Sequence, residues 1–142
     1  MKFNKLIPEF DVLNIDETVS FYKMLGFKIE YERKDEKFVF MSLGEDVQFM
    51  FQELNKGNNN WSVGELERPF GRGINFSIEL KENDLNNVYN LLLSNNYKIM
   101  VPMEENWYEK DGVLLGNKEF LIQDPDGYLL RLNCDIGEKD LC

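Results

Sequence analysis

Arg131 is the side chain on which the chemistry of this sequence turns. It stands near the end of residues 123–132, QDPDGYLLRL, inside an extended apolar run. Elsewhere the reactive side chains are carboxylates and aromatic rings. Glu9, Glu53, Glu79 and Glu119 fall on segments that read as strands. Phe38, Phe40, Phe49 and Phe51 alternate along two more, and Trp61, Trp107 and Tyr108 sit in polar stretches. Rings supply flat stacking area and carboxylates hold amines, so this set suits a flat, heteroaromatic, cationic ligand. Each also has a plainer use: the phenylalanines as core, Arg131 as a strand-to-strand ion-pair partner of Glu9 or Glu79, and Trp107-Tyr108 as a subunit contact.

What is missing is equally informative. The chain contains no histidine. That removes the usual acid/base at neutral pH and the commonest metal ligand. Gly71-Arg72-Gly73 has neither the spacing nor the lysine of a phosphate loop. The formal charge of −10 argues against nucleic acid, whose phosphates need clustered Lys and Arg. No apolar run reaches the roughly 20 residues of a membrane span, and the start MKFNKLIPEF lacks a signal-peptide pattern. The expectation is a cytoplasmic protein with Cys134 and Cys142 as free thiols and no catalytic residue, metal or cofactor.

The elements that must position these groups follow from periodicity. Lys5–Leu13 reads as a strand and Asn14–Gly26 as a helix, with Asp16 as N-cap and Gly26 after its end. Three strands are expected at Phe27–Arg33, Lys37–Leu43 and Val47–Glu53. Residues 55–72 are polar and irregular and read as a linker, in which Trp61 is either a cover over a groove or an anchor. Gly73–Leu80 is a strand. A helix capped by Asn83 or Asp84 follows, with Leu85, Val88, Tyr89 and Leu92 on one face. Tyr97–Met103 is a strand, and Glu104–Gly112 reads as a charged excursion. Residues 117–133 form a hairpin turned by Asp124-Pro125-Asp126-Gly127. The order β-α-β-β-β thus occurs twice, in about 1–54 and about 73–136, within one α+β domain with a short C-terminal tail. Each half alone is too small to close a core.

The doubled order, the DETVSFYKMLGFKIEYE stretch at 16–32 and QDPDGYLLRL at 123–132 resemble the vicinal-oxygen-chelate superfamily, which includes glyoxalase I, extradiol dioxygenases and bleomycin-resistance proteins. The nearest resemblance is to the bleomycin-resistance branch. It implies a cupped mixed sheet with helices on the outer face, around a metal in the catalytic branches. The metal-ligand positions implied by the resemblance fall near Ile7, at about Phe51, at Gly73 and at Arg131. None of these is a ligand, and a guanidinium has no free lone pair for a metal.

If Arg131 faces the cup, strand parity brings Leu129 and Asn133 with it. The same mapping turns in Asn75, Ser77 and Glu79, then Phe49, Phe51 and Glu53, then Phe38, Phe40 and Ser42, and Glu9 and Asp11. The expected ligand-binding set is Phe38, Phe40, Phe49, Phe51, Glu53, Trp61, Asn75, Trp107, Tyr108 and Arg131. The resemblance implies a homodimer that sequesters a bleomycin-like small molecule in a groove at the subunit interface. The competing reading is a metal-dependent enzyme of the same superfamily with a rearranged carboxylate site.

Overall fold

The computed structural model describes residues 1–54 and 61–141. It has two compact units, Met1–Phe70 and Gly71–Cys142. The first contains β1 (Glu9–Val12), α1 (Ile15–Met24), β2 (Lys28–Arg33), a single 3-10 turn at Lys34–Glu36, β3 (Phe38–Leu43) and β4 (Val47–Glu53). The second contains β5 (Asn75–Glu79), α2 (Glu82–Ser94), β6 (Ile99–Lys110), β7 (Val113–Gln123) and β8 (Leu129–Asp140). Each unit is a β-α-β-β-β module, and the fold is α+β.

Both modules build the same four-stranded mixed sheet. The strand orders are β1-β4-β3-β2 and β5-β8-β7-β6. In each, the first strand runs parallel to the last and the other pairings are antiparallel. The helix follows the first strand and covers one face of its own sheet. Under α1, Tyr22 packs on Phe49 and Phe51 with ring centroids at 6.0 and 4.6 Å, and Phe10 joins both. Under α2, Tyr89 meets Phe120 at 4.8 Å, and Leu85, Val88 and Leu92 are buried with Leu130 and Leu132.

Three local readings are corrected. The first strand spans only Glu9–Val12. The preceding segment is instead tethered by side chains: Asn4 N–H donates to Gln48 Oε1 (2.7 Å), and Gln48 Nε2 donates to the Lys2 carbonyl (2.7 Å). The cap of α1 is Asn14 rather than Asp16. Its Oδ1 accepts from the N–H groups of Asp16 and Glu17, because the side-chain oxygen must come from the last non-helical residue. In α2 neither Asn83 nor Asp84 is the cap; Lys81 holds that position without a side-chain bond.

The expected excursion at 104–112 is strand as far as Lys110. Asp111 and Gly112, both at positive φ (51° and 86°), form the two-residue turn into β7 that matches strand twist. The other turn is as the sequence indicated: Asp124 Oδ1 accepts from the N–H groups of Asp126, Gly127 and Tyr128. No helix among the described residues is long and apolar enough to cross a membrane.

Candidate ligand-binding site

In both units, the face turned away from the helix carries the chemistry. On the first sheet, alternation and register put Glu9, Asp11, Tyr31, Arg33, Phe38, Phe40 and Ser42 on that face. Tyr31 stacks on Phe40 at 5.3 Å with the rings 8° apart, and Phe3 meets Phe40 edge-on at 5.3 Å. The Arg33 guanidinium lies 4.0 Å from the Phe38 ring centre. Burial pushes the Glu9 carboxyl above its usual pKa, the neighbouring Asp11 charge adds to this, and Arg33 opposes both. Beside the rings lies a concavity of about 780 Å³, lined by Phe3, Lys28, Glu30, Ser42 and Gln48 among others. In it Ser42 Oγ donates to Glu30 at 2.7 Å. That bond is the largest of the causes that lower the Glu30 pKa.

Phe49 and Phe51 are not on this face. They register with Met41 and Val39 and lie under α1, only 4% and 0% exposed. Placing them in the cup is therefore corrected by one residue of parity: Met50 and Gln52 are the β4 residues that share the face with Phe40 and Phe38. Glu53 serves the fold. Its Oε1 accepts the Ile15 N–H at 3.0 Å, at the start of α1, and its Oε2 pairs with Lys37 at 3.0 Å. Burial alone would raise its pKa; the Ile15 bond and the Lys37 ammonium outweigh that and leave it lowered.

On the second sheet, Asn75, Ser77, Glu79, Leu129, Arg131 and Asn133 do share the face opposite α2. Its centre is Glu119, a buried carboxylate 2% exposed. Tyr108 O–H donates to Glu119 Oε2 at 2.6 Å, and Asn106 Nδ2 donates to the same oxygen at 3.1 Å. Arg131 Nη1 stands 3.8 Å from Oε1. Arg131 thus has an acid partner, but it is Glu119, not Glu9 or Glu79. The bond to Glu119, then desolvation and the Glu119 charge, raise the Tyr108 pKa above 10. Asn133 Nδ2 donates to Ser77 Oγ at 2.9 Å. The sequence reading named Glu119 only among the carboxylates of a rearranged metal site and did not place it beside Arg131. The signal was its place in β7, two residues from Leu121, the register partner of Arg131.

The two tryptophans lie elsewhere. Trp61 is 89% exposed. Trp107 is on the opposite face of β6 from Tyr108. It lies over Gly116, where an added Cβ would come within 2.6 Å of its ring, and carries Lys139 Nζ 4.0 Å from its ring centre. Cys134 is a buried free thiol whose pKa burial raises; Cys142 is outside the described residues.

The residues present do not fit the metal that the resemblance implies for the catalytic branches. Phe51 is core, and the Arg131 guanidinium offers donors where a cation needs lone pairs. Among the described residues, no group of three or more Cys, Asp and Glu is placed to hold a metal ion.

Solved structures share this fold. A glyoxalase/bleomycin resistance protein/dioxygenase from Alicyclobacillus acidocaldarius matches with a TM-score of 0.61 at 17% identity, over 94% of this chain and 92% of its own. A bleomycin-binding protein complexed with bleomycin matches with a TM-score of 0.57 at 21% identity, over 93% and 98%. The chain has the glyoxalase/bleomycin resistance protein/dioxygenase superfamily fold. A member of that superfamily from Vibrio splendidus 12B01 is 30% identical over 89% of this chain and 95% of its own, with a TM-score of 0.41, so the superfamily fold is assigned on the other two. No protein-family model and no curated protein matches the sequence. Within the superfamily fold, the faces described above are those left open by the helices.

Proposed function

We propose that this chain is a non-catalytic binding protein of the bleomycin-resistance type, which sequesters a cationic aromatic small molecule. One observation carries the reading: stacked rings and two neighbouring carboxylates, Glu9 and Asp11, share the helix-free face of the first sheet. Phe3 and Tyr31 supply the accessible stacking surface over Phe38 and Phe40, which are 4% and 0% exposed, and the Arg33 guanidinium on Phe38 is the kind of cation–π contact such a ligand would make. Glu9 and Asp11 repel each other where Glu9 has lost part of its water. A ligand cation beside them would relieve that repulsion. The adjoining concavity of about 780 Å³ is of the size that takes a small molecule. The net charge of −10 draws cations from a distance. A protein of the same fold holds bleomycin. In this reading the protein is a cytoplasmic homodimer with its grooves at the subunit interface, and no bond is made or broken.

The test is a calorimetric titration with metal-free bleomycin, with metal analysis of the same sample. Calorimetry is preferred to Trp emission because Trp61 is exposed and Trp107 faces away from Tyr108. Saturable binding at one ligand per chain, at about −8 kcal/mol or better, with the drug recovered unchanged, is the expected result. A divalent metal near one per chain, together with chemical change in the ligand, would replace this reading with the enzymatic one. Absence of heat at any drug concentration would remove bleomycin as the ligand.

A further inference from the structure

Arg131 is held in place without being satisfied. Its Nη1 is 3.8 Å from Glu119 Oε1, an ion-pair distance too long for a hydrogen bond. Glu119 Oε2 is already taken by Tyr108 and Asn106. Arg131 Nε is buried with no acceptor among the described residues, although the side chain as a whole is 39% exposed. A buried donor left empty is unfavourable, and a guanidinium is a rigid fork of five donors shaped for planar oxyanions. Its exposed end therefore offers donors outward, while Glu119 steadies the charge from within. The register neighbours on the same face are Leu121 on one side and Ser77 on the other, with Asn75 and Leu129 one pair further along. An apolar body and a polar rim thus flank one cationic head.

We propose that the helix-free face of the second unit is an oxyanion subsite, in which Arg131 receives a carboxylate borne on an apolar or aromatic ligand. Glu119 is the positioning residue; Tyr108 and Asn106 hold it, so that it orients the guanidinium without occupying its donors. Binding draws the head toward the incoming carboxylate and lets Nε find an acceptor. The proposal rests on the ligand-binding reading above only in taking the chain as a small-molecule binder, and the subsite belongs to the second unit by itself. It distinguishes Arg131 from a structural arginine, whose donors would be filled by the chain itself.

The test compares benzoate, benzamide and benzylamine by calorimetry on the full chain. Benzoate is expected to bind at least tenfold more tightly than benzamide. Arg131→Met should abolish that preference while thermal unfolding shows the variant folded. Arg131→Lys should keep only part of it, because a point charge cannot make the paired bonds. Glu119→Gln should leave benzoate bound but reduce its advantage over benzamide, as the guanidinium loses its fixed orientation. Equal affinity for benzoate and benzamide, or an Arg131→Met variant that still prefers benzoate, would overturn the oxyanion subsite. Binding of benzylamine or bleomycin without a benzoate preference would remove this subsite and leave the ligand-binding reading standing. Failure of all three probes and of bleomycin would remove both.

Discussion

The two units are the same frame with different contents. Each places a helix between the first strand and the rest, and pairs its first and last strands in parallel. Each packs large apolar side chains between helix and sheet. The helix-free faces have diverged. In the first unit that face is aromatic, built on Phe3, Tyr31, Phe38 and Phe40. In the second it is a polar cluster around one buried carboxylate, Glu119. The core face is bound by packing density, which tolerates little change of volume. The other face is packed in part, through Phe40 and Glu119, but it also keeps exposed groups such as Phe3 and Arg131, so it is where two modules of one frame can carry different chemistry.

The largest effect should come from the shared part. Phe51 is fully buried under α1, and Phe120 is fully buried under α2. Phe51→Ala and Phe120→Ala should each cost about 3–5 kcal/mol of stability by chemical denaturation. A cost below about 1 kcal/mol at Phe51 would return it to the helix-free face and break the equivalence of the two cores.

The next comparison sets the acids of the two helix-free faces against each other. Glu119→Leu takes the acceptor from Tyr108 O–H, one of the two acceptors of Asn106 and the ion-pair partner of Arg131, and should cost about 2 kcal/mol. Glu9→Gln should be neutral or slightly stabilising, within about 0.5 kcal/mol, since Glu9 is disfavoured as an anion where it stands. Equal losses at both positions would mean that the first face holds its acids as tightly as the second.

These contrasts also explain how much could be read from sequence. The module order was legible because each helix carries a periodic apolar stripe and three of the four hairpins a Gly-containing turn; the β2–β3 turn uses Lys37 at φ 54° instead. Residues 124–127 announced their turn in full. The arm formed by the ends of β6, β7 and β8 was not legible as strand. It extends past the five-residue β5, so residues 104–110 do not need one apolar face and their alternation is weak. The signal that was present is the Asp111-Gly112 pair, a hairpin turn by composition.

At the candidate site, parity failed in one strand and held in the others. Val47, Phe49 and Phe51 alternate with Gln48, Met50 and Gln52. That pattern alone turns the phenylalanines to the core; mapping Phe51 onto a ligand position of the resembling family turned them the wrong way. Phe38–Ser42 is buried on both faces, so its hydropathy carries no parity signal. Arg131, Asn75 and their face-mates were placed together correctly. Glu119 was named only among the carboxylates of a rearranged metal site; its burial 2.6 Å from the Tyr108 hydroxyl depends on the pairing of β7 with the part of β6 that was not read as strand.

Helix caps give a smaller and cleaner contrast. The α1 N-terminus has two side-chain acceptors, Asn14 and Glu53, whereas α2 begins at Lys81 with none. Asn14→Ala should cost about 1 kcal/mol. Lys81→Asn should gain a similar amount, about 0.5–1 kcal/mol, because its backbone already has the extended geometry of a cap (φ −70°, ψ 151°). If Lys81→Asn gains nothing, the first turn of α2 is satisfied in another way and the difference between the two helices is only apparent.

The smallest effects are in pH dependence, and they divide between the units. The folded pKa of Glu53 lies below its usual 4.5, since the Ile15 N–H and Lys37 outweigh burial. Its contribution is present above about pH 4.5 and is lost as pH falls through the folded value. The pKa of Tyr108 lies above 10, raised by its bond to Glu119, by burial and by the Glu119 charge. Its contribution is present below about pH 10 and is lost as pH rises through the folded value. Denaturation midpoints measured across pH should therefore lose part of their acid limb in Glu53→Gln and part of their alkaline limb in Tyr108→Phe, each leaving the other limb in place. A Tyr108→Phe variant that kept its full alkaline limb would mean that the hydroxyl carries none of that stability, and the division between the units would fail.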